Sequence, residues 1–436
     1  MNKLTYLIAL LLFTSESFAE GLLDVYTVAK LQDTELLEAE ANFQANSMAS
    51  PIARSALLPQ LSLSAETSDN SIETKGNTFG INSADADFNS HGYRLELSQS
   101  LYNRSFYVQF RQAQNTAAKA RVQLDESKQN LILRVAEAYF NVLAAKDDLR
   151  FATSEKEAIA RQLEQAEKLF EVGLAPITDV KEAQSSYDSS VAREIDAQNF
   201  LELQLDSLAV ITGERFTDLQ PLDGNIDLIR PEPNNVDEWI HNALDQNLSL
   251  LINEYDTEIA KQQISLEQSG HLPTVDIVGS YSDYDTGGIT GSREQKESRI
   301  GLELNFPIFQ GGNTYYSTRE SQYRYQAAIQ AHERIKRETI RDTRSAFHNV
   351  VSGISRVNAL EKAVESAEIA AKASQAGFEV GTRTSVDVLL TVRGVYQAQR
   401  DHAESRYNFI LDTLRLKRSA GILSPEDLQR IDVWLQ

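Results

Sequence analysis

Two hydrophobic periods alternate along this chain, and each occurs twice. In LSLSAE, Leu61, Leu63 and Ala65 fall on one side with polar residues between them, and YRLELSQSL does the same with Tyr93, Leu95 and Leu97. VDIVGSYSD and RIGLELNFPIF repeat the pattern with Val275, Ile277 and Tyr281, then with Ile300, Leu302, Leu304 and Phe306. A period of two predicts β-strands. The polar, glycine-bearing stretches Ser68 to Ser90 and Asp285 to Ser298 are expected as the loops joining each pair. Around the strands the pattern is helical. Opening helices are predicted over Leu22 to Leu57 and Val236 to Gly270, each ended by a Leu-Pro step at Leu58-Pro59 or Leu272-Pro273. No proline occurs from Gln60 to Ala175 or from Ile308 to Ser424, and helix formers such as NLILRVAEAYFNVLAAKDDL fill both windows. A long helix is therefore predicted from about Asn103 to Val172, roughly 105 Å at 1.5 Å per residue. Gly173 ends it as a C-cap, and a helix returns from Thr178 to about Thr212. The second half repeats this with a long helix from about Asn313, a stop at Gly381 and a return from Ser385. An opening and a returning helix together match one long helix in length, so two short helices stacked end to end fit beside it.

The phrase FEVGLAPITDV from Phe170 returns as FEVGTRTSVDV from Phe378, an offset of 378 − 170 = 208. At that offset Asp179 and Val180 meet Asp387 and Val388, Leu203 and Leu208 meet Leu411 and Leu416, and Gly213 meets Gly421. Leu58-Pro59 meets Leu272-Pro273 at 272 − 58 = 214, an offset that Ala29, Gln32, Leu36 and Leu37 share. The offset changes in polar loops, where insertions are tolerated. The chain is read as a signal segment 1–19, a first repeat 20–213, a linker 214–235, a second repeat 236–421 and a C-terminal segment 422–436.

The segment MNKLTYLIALLLFTSESFA has a positive start at Lys3, an apolar run from Leu7 to Phe13 and a cleavage signal at Ser17-Phe18-Ala19. It predicts export, with the mature chain starting at Glu20. An apolar run of about 12 residues is too short to span a bilayer, and no later segment is long enough. The absence of cysteine excludes disulfides and a lipid-anchored cysteine. A formal net charge of −21 repels phosphate backbones and argues against a nucleic-acid partner. The six histidines lack metal-ligand spacing, and GxSxG, P-loop and GxGxxG motifs are missing. No metal, no cofactor and no enzymatic activity are expected.

Four strands cannot close a membrane barrel, which needs at least about eight, and lipid cannot satisfy open edges. Closure requires several chains to share one barrel: two would give eight strands and three would give twelve, and the spacing fits both. Aromatics gather where strands turn into long helices, at Tyr102, Phe106, Tyr107 and Phe110 and again at Phe306, Phe309, Tyr315 and Tyr316. A membrane-interface girdle has this composition, and so does ordinary helix packing. The fold class is read as a mixed membrane α/β protein, an oligomeric outer-membrane β-barrel with four strands per chain, continued by a long α-helical tube. The competing reading is a soluble periplasmic coiled-coil adaptor or structural spacer, which accounts for the helices and leaves the strands unexplained.

SALLPQLSLSAE, LELSQSLYN, AEAYFNVLAAKDDL, FEVGLAPITDV, GHLPTVDI, LNFPIFQGG and FEVGTRTSVDVL follow one another over nearly all of the chain after the signal. Through these stretches the sequence resembles the TolC family of outer-membrane channel-tunnels. The resemblance implies a homotrimer with a twelve-stranded barrel in outer-membrane lipid and a helical tunnel in the periplasm. It implies a passive exit duct for efflux and type I secretion, docking with a periplasmic adaptor and an inner-membrane efflux or ABC-type pump. The docking tips would be the hairpin turns at Gly173 and Gly381. The linker with Pro221, Pro231 and Pro233 and the end after Gly421 would form an equatorial belt.

Thr178 and Ser385 are predicted N-caps, with Asp179 and Asp387 in the first turn, where the helix dipole favours them by roughly 0.3–1 kcal/mol. Under three-fold symmetry Asp387 would recur as a ring of carboxylates. The family's corresponding aspartate lines the pore constriction and makes the channel cation-selective, while the place of its second acidic residue is Leu390 here. Arg383 matches the family arginine that bonds the neighbouring hairpin at a Thr-Asp pair, here Thr178 and Asp179; the first repeat has Ala175 in its place. The family's tyrosine latch to that aspartate is Phe378 here, so that bond is expected to be missing. Gln162 matches another family contact, whose usual acidic partner is Gln375 here. The closed gate is expected to be less tightly held than is usual in the family.

Overall fold

A computed structural model describes residues 19–78, 81–223, 226–288 and 291–435. The predicted signal segment, Ala19 apart, lies outside them. The first half contains α1 (Leu22–Gln32), α2 (Thr34–Ser47), α3 (Ala49–Ser55), β1 (Gln60–Thr78), β2 (Ile81–Tyr102), α4 (Arg104–Glu171) and α5 (Ile177–Thr212). The second contains α6 (Val236–Gln246), α7 (Leu248–Gln268), a 3-10 turn, β3 (Thr274–Thr286), β4 (Arg293–Asn305), α8 (Asn313–Glu379) and α9 (Ser385–Ser419), followed by α10 (Pro425–Asp432). No helix among the described residues is long and apolar enough to cross a membrane.

The opening helices are not continuous as expected. Asp33 stands between α1 and α2 in extended backbone, ψ 115°, and its Oδ1 accepts the Leu36 N–H at 2.7 Å. The same carboxylate pairs with Arg134 at 2.8 Å. Asn247 breaks α6 from α7 in the same way, ψ 122°, at 247 − 33 = 214, the offset of the repeat. Its amide donates to the Ser419 carbonyl at 2.9 Å. In both places a short side chain that bonds backbone or a neighbour outcompetes continued helix. The second break, between α2 and α3, precedes Pro51, which has no N–H to give the turn before it.

The chain divides into two compact units, one built from Glu38–Glu126 and Leu248–Glu338, the other from the described part of Met1–Leu37 with Ser127–Asn247 and Thr339–Gln436. The first unit holds an antiparallel sheet in the order β1-β2-β3-β4. Its register sets Leu61 opposite Leu97, Leu63 opposite Leu95, Leu95 opposite Tyr281, Ile277 opposite Leu302 and Val275 opposite Leu304. Ser62, Glu96, Ser280 and Arg299 form a row on the other face. The apolar face is left bare by this chain, with Leu63 70%, Ile300 83% and Leu302 72% exposed. A collision with the Tyr284 ring would meet any side chain at Gly92; that ring lies across the glycine, with the Arg94 guanidinium 5.9 Å from its centroid.

The expected loops are shorter than the sequence suggested. β1 and β2 stay paired past Ser68 and Ser90 to Thr78 and Ile81, and β3 and β4 stay paired to Thr286 and Arg293. These extensions are mostly polar; Ala86 and Phe88 alternate with Asp85 and Asp87, with Ile72 opposite Ala86, but none of the described side chains there is fully buried, and ladder hydrogen bonds hold the pair. At the other end β4 stops at Asn305, which leaves Phe306 outside the strand because Pro307 follows. Tyr102, Tyr107, Phe306, Phe309, Tyr315 and Tyr316 are all exposed, the last four by more than half. Phe106 and Phe110, the other two of the set, are half-buried, so packing within the chain takes up part of it and leaves six rings exposed.

The second unit is centred on Tyr139, fully buried, whose hydroxyl donates to the carbonyls of Gln220 at 2.8 Å and Glu20 at 3.2 Å. Burial pushes that hydroxyl's pKa far up. Glu20 bridges to Leu219 and Leu222 to Leu435, so the start, the linker and the C-terminal segment are stitched together.

Candidate functional site

Both long helices end in the same turn. Gly173 and Gly381 have φ of +76° and +80°, the left-handed region that side chains resist. Leu174 N–H reaches back to the Leu169 carbonyl at 2.7 Å, and Thr382 N–H to the Gly377 carbonyl at 2.8 Å, closing the same six-residue motif twice. Behind the turns a small core of Ile159 and Ala166 from α4, Ala183 from α5 and Leu389 from α9 is fully buried, flanked by Leu163, Val180, Tyr187 and Val392.

The second returning helix, α9, begins at Ser385 as predicted and α5 one residue before Thr178, while both N-caps stand earlier than predicted, by two residues at α5 and one at α9. Pro176, not Thr178, is the N-cap of α5 and offers no side-chain cap; Thr178 instead donates to Asp179 Oδ1 at 3.3 Å. Thr384, not Ser385, caps α9, and Ser385 is buried. Thr384 Oγ1 accepts the Asp387 N–H at 3.2 Å, while Asp387 Oδ2 accepts the Thr384 N–H and hydroxyl, each at 2.9 Å. The reciprocal pair explains the shift at α9, because it satisfies two otherwise orphan donors. The Thr384 N–H first, then its hydroxyl and the nearby Arg383, hold the Asp387 carboxyl below the usual range.

Arg383 emerges from the second turn with its stem laid over Gly377. A Cβ added at Gly377 would sit 2.7 Å from the Arg383 Cγ, so the glycine is what makes room for the arginine. Among the described residues no hydrogen bond or ion pair joins Arg383 to Thr178 or Asp179 of its own chain. Gln162 and Gln375 do meet: Gln162 Nε2 donates to Gln375 Oε1 at 3.1 Å, and Gln375 Nε2 donates onward to Glu379 Oε1 at 3.2 Å. Neutral Gln375 thus serves both an amide and a carboxylate, which an acidic residue there could not. Phe378 is half-buried and has no hydroxyl to give.

One constellation has no counterpart in the sequence reading. Glu155 on α4, fully buried, accepts Arg193 Nη1 of α5 at 3.0 Å and Arg400 Nη1 of α9 at 3.2 Å. Lys156 next to it pairs with Glu194 at 2.6 Å, which draws the carboxyl's pKa down and the ammonium's up. Together they tie α4 to both returning helices.

Residues 25–214 and 239–422 match the outer membrane efflux protein family. The chain is similar to outer membrane protein TolC of Vibrio cholerae, at 38% identity over 97% of this chain and 95% of that protein. It is also similar to TolC of Escherichia coli, at 36% identity over 95% of this chain and 85% of that protein. Its backbone resembles the Campylobacter jejuni CmeC outer membrane channel, with a TM-score of 0.80 at 15% identity over 96% of this chain and 90% of that one. The fold class is that of a mixed α/β outer-membrane channel, not an enzyme, with four barrel strands per chain and most of its mass in periplasmic helices. With both halves of the chain matched, this protein belongs to the outer membrane efflux protein family.

Proposed function

We infer that three copies of this chain close their sheets edge to edge into one twelve-stranded barrel and serve as the outer-membrane exit duct of tripartite efflux pumps and type I secretion systems. The sheet carries the reading. Its apolar face is bare, and among the described residues β1 and β4 each lack a second strand partner. Edge groups left open in lipid cost several kcal/mol each, and β4 of one copy set against β1 of the next satisfies them. Two copies would give eight strands, whose interior side chains fill; three leave a lumen. The alkaline protease secretion protein AprF of Pseudomonas aeruginosa, 27% identical over 97% of this chain, supports a secretory role beside efflux.

In this assembly Asp387 recurs around the axis as a carboxylate ring at the pore constriction. The Arg383 guanidinium, which has no hydrogen bond or ion pair to Thr178 or Asp179 among the described residues of its own chain, reaches those two residues of the neighbouring hairpin and holds the mouth shut. Phe378 adds no second bond, and Gln162 braces α4 against α8 behind the gate. The turns at Gly173 and Gly381 present the tips to a periplasmic adaptor, and docking with adaptor and inner-membrane pump opens the passive channel. Native mass spectrometry of the detergent-extracted protein should give a trimer of mature chains, and planar bilayers should show cation-preferring conductance. A folded monomer that inserts and conducts alone would overturn the reading.

A further inference from the structure

A cleft of about 400 Å³ opens between α4, α5 and α9, away from the turns and the gate. That volume is in the range that holds small organic ligands. Its floor is aromatic: Phe140 is fully buried and lies 5.8 Å from the Tyr407 ring at a tilt of 33°. Phe151 and Phe200 also line it, and Phe200 is 47% exposed although an apolar ring has nothing to gain from water there.

The rim is acidic, and its charges are unevenly answered. Asp147 takes the Tyr407 hydroxyl at 2.7 Å and Arg150 at 2.8 Å. Asp148 faces Arg400 at 3.7 Å. Asp401 and Glu404, about one turn apart on α9, have only amide partners, Gln397 at 2.7 Å and Asn408 at 3.5 Å. Among the described residues neither has a cation. Arg400 also lines the cleft and the Arg150 guanidinium already lies 4.9 Å from the Phe151 ring centroid, so what stays open to a cation is the exposed Phe200 ring, whose quadrupole attracts positive charge, with the carboxylates of Asp401 and Glu404. A metal ion would find oxygen ligands on one side only and rings on the other. An anion would meet the carboxylates.

We propose that this cleft is a binding site for an organic monovalent cation with an aromatic or apolar body, seated with its ring against Phe200 and Tyr407 and its charge at Asp401 and Glu404. All lining residues belong to one chain and the proposal requires that face to stay open in the trimer, so a trimer that conducts without binding would overturn it and leave the proposed function standing. The full-length protein in phosphatidylcholine nanodiscs is titrated with ethidium, read by fluorescence anisotropy against empty discs. Saturable binding is expected, weakened by added salt. Asp401→Asn combined with Glu404→Gln should weaken it about tenfold, and Phe200→Ala about threefold. All three side chains are exposed or half-exposed, and circular dichroism checks that the variants fold. Anilinonaphthalene sulfonate, an anion of similar bulk, should not compete. Absence of binding above empty discs, binding undiminished in either variant, or equal competition by the anion would each overturn the proposal.

Discussion

Glu155→Gln keeps the side chain's volume and removes one charge where water hardly reaches, since the Glu155 side chain is 2% exposed. Glu155 Oε2 accepts from both Arg193, at 3.0 Å, and Arg400, at 3.2 Å, so a glutamine oxygen there can keep both bonds, while Arg193 loses its second bond to Oε1 and both guanidiniums lose their countercharge. Removing one partner of a buried ion pair costs about 3–5 kcal/mol. Arg193, 47% exposed, can be rehydrated, whereas Arg400, 15% exposed, keeps Gln397 Oε1 at 3.1 Å and, as a charged partner, Asp148 at 3.7 Å. A cost of about 2–3 kcal/mol therefore falls on the junction of α9 with α4. An oligomeric membrane protein unfolds irreversibly, which makes a midpoint temperature a poor measure. Local opening is the better one. Hydrogen exchange of α9 amides around Arg400 should accelerate by about 30- to 150-fold, while amides near Tyr139 should not change. Adding Arg400→Gln to Glu155→Gln should restore part of the protection, because it removes the charge that lost its buried partner. Unchanged exchange in the single variant, or a double variant equal to the sum of the two singles, would refute the reasoning.

Arg383→Ser should raise single-channel conductance more than Phe378→Ala, Asp179→Ala should mimic it, and the double variant should add little, since both remove one charge-assisted bond of about 1.5–3 kcal/mol; full additivity would separate the two residues. Gly377→Ala should displace the Arg383 stem and raise conductance in the same direction with assembly intact, as recorded in bilayers beside the native gel. Asp387→Asn should abolish cation preference in reversal potentials, whereas Thr384→Ala should keep it at neutral pH. The depressed Asp387 pKa means that charge and cap are both present above the ordinary carboxylate range and are lost only as pH falls through the lower, folded value. Like charges around the axis act in the opposite direction, so the expectation is for the difference between the variants: Thr384→Ala should move the loss of cation preference to higher pH.

Much of the fold was legible because its signals are long. A proline-free window of helix formers closed by glycine fixes α4 and α8 to within about a residue at each end that was predicted. The ribbon beyond Ser68 was passed over because its alternation, Asp85-Ala86-Asp87-Phe88, is short, is set among polar residues and buries neither face fully. Asp33 and Asn247 stand at one repeat offset, and both residue types are helix-capping signals that the apolar pattern alone passes over. The Thr384 cap was also within reach, because Thr384-Ser385-Val386-Asp387 reads as a capping box shifted by one position. The Glu155 cluster was beyond it. Its partners lie 38 and 245 residues away, and only the packed helices bring them together.

The two hairpin turns show how a duplication becomes asymmetric. Ala175 N–H bonds the Leu169 carbonyl at 3.2 Å, and Arg383 N–H bonds the Gly377 carbonyl at the same distance, with 383 − 175 and 377 − 169 both equal to 208. The backbone frame is common, and the side chains exchange bulk across it: leucine with alanine in the first copy, glycine with arginine in the second. An arginine beside a leucine at this spacing would collide with it, since even a Cβ at Gly377 lies 2.7 Å from the Arg383 stem. The charge that can hold a neighbouring hairpin therefore depends on a small residue six positions earlier. A repeat with Leu169 cannot gain the arginine by one substitution. This coupling predicts that Ala175→Arg alone is strained, and that Leu169→Gly with Ala175→Arg recovers an exposed guanidinium on the first turn. Such a chain would carry cations on both hairpins facing one Thr178-Asp179 acceptor, and its conductance should differ from that of Arg383→Ser, in which no cation remains.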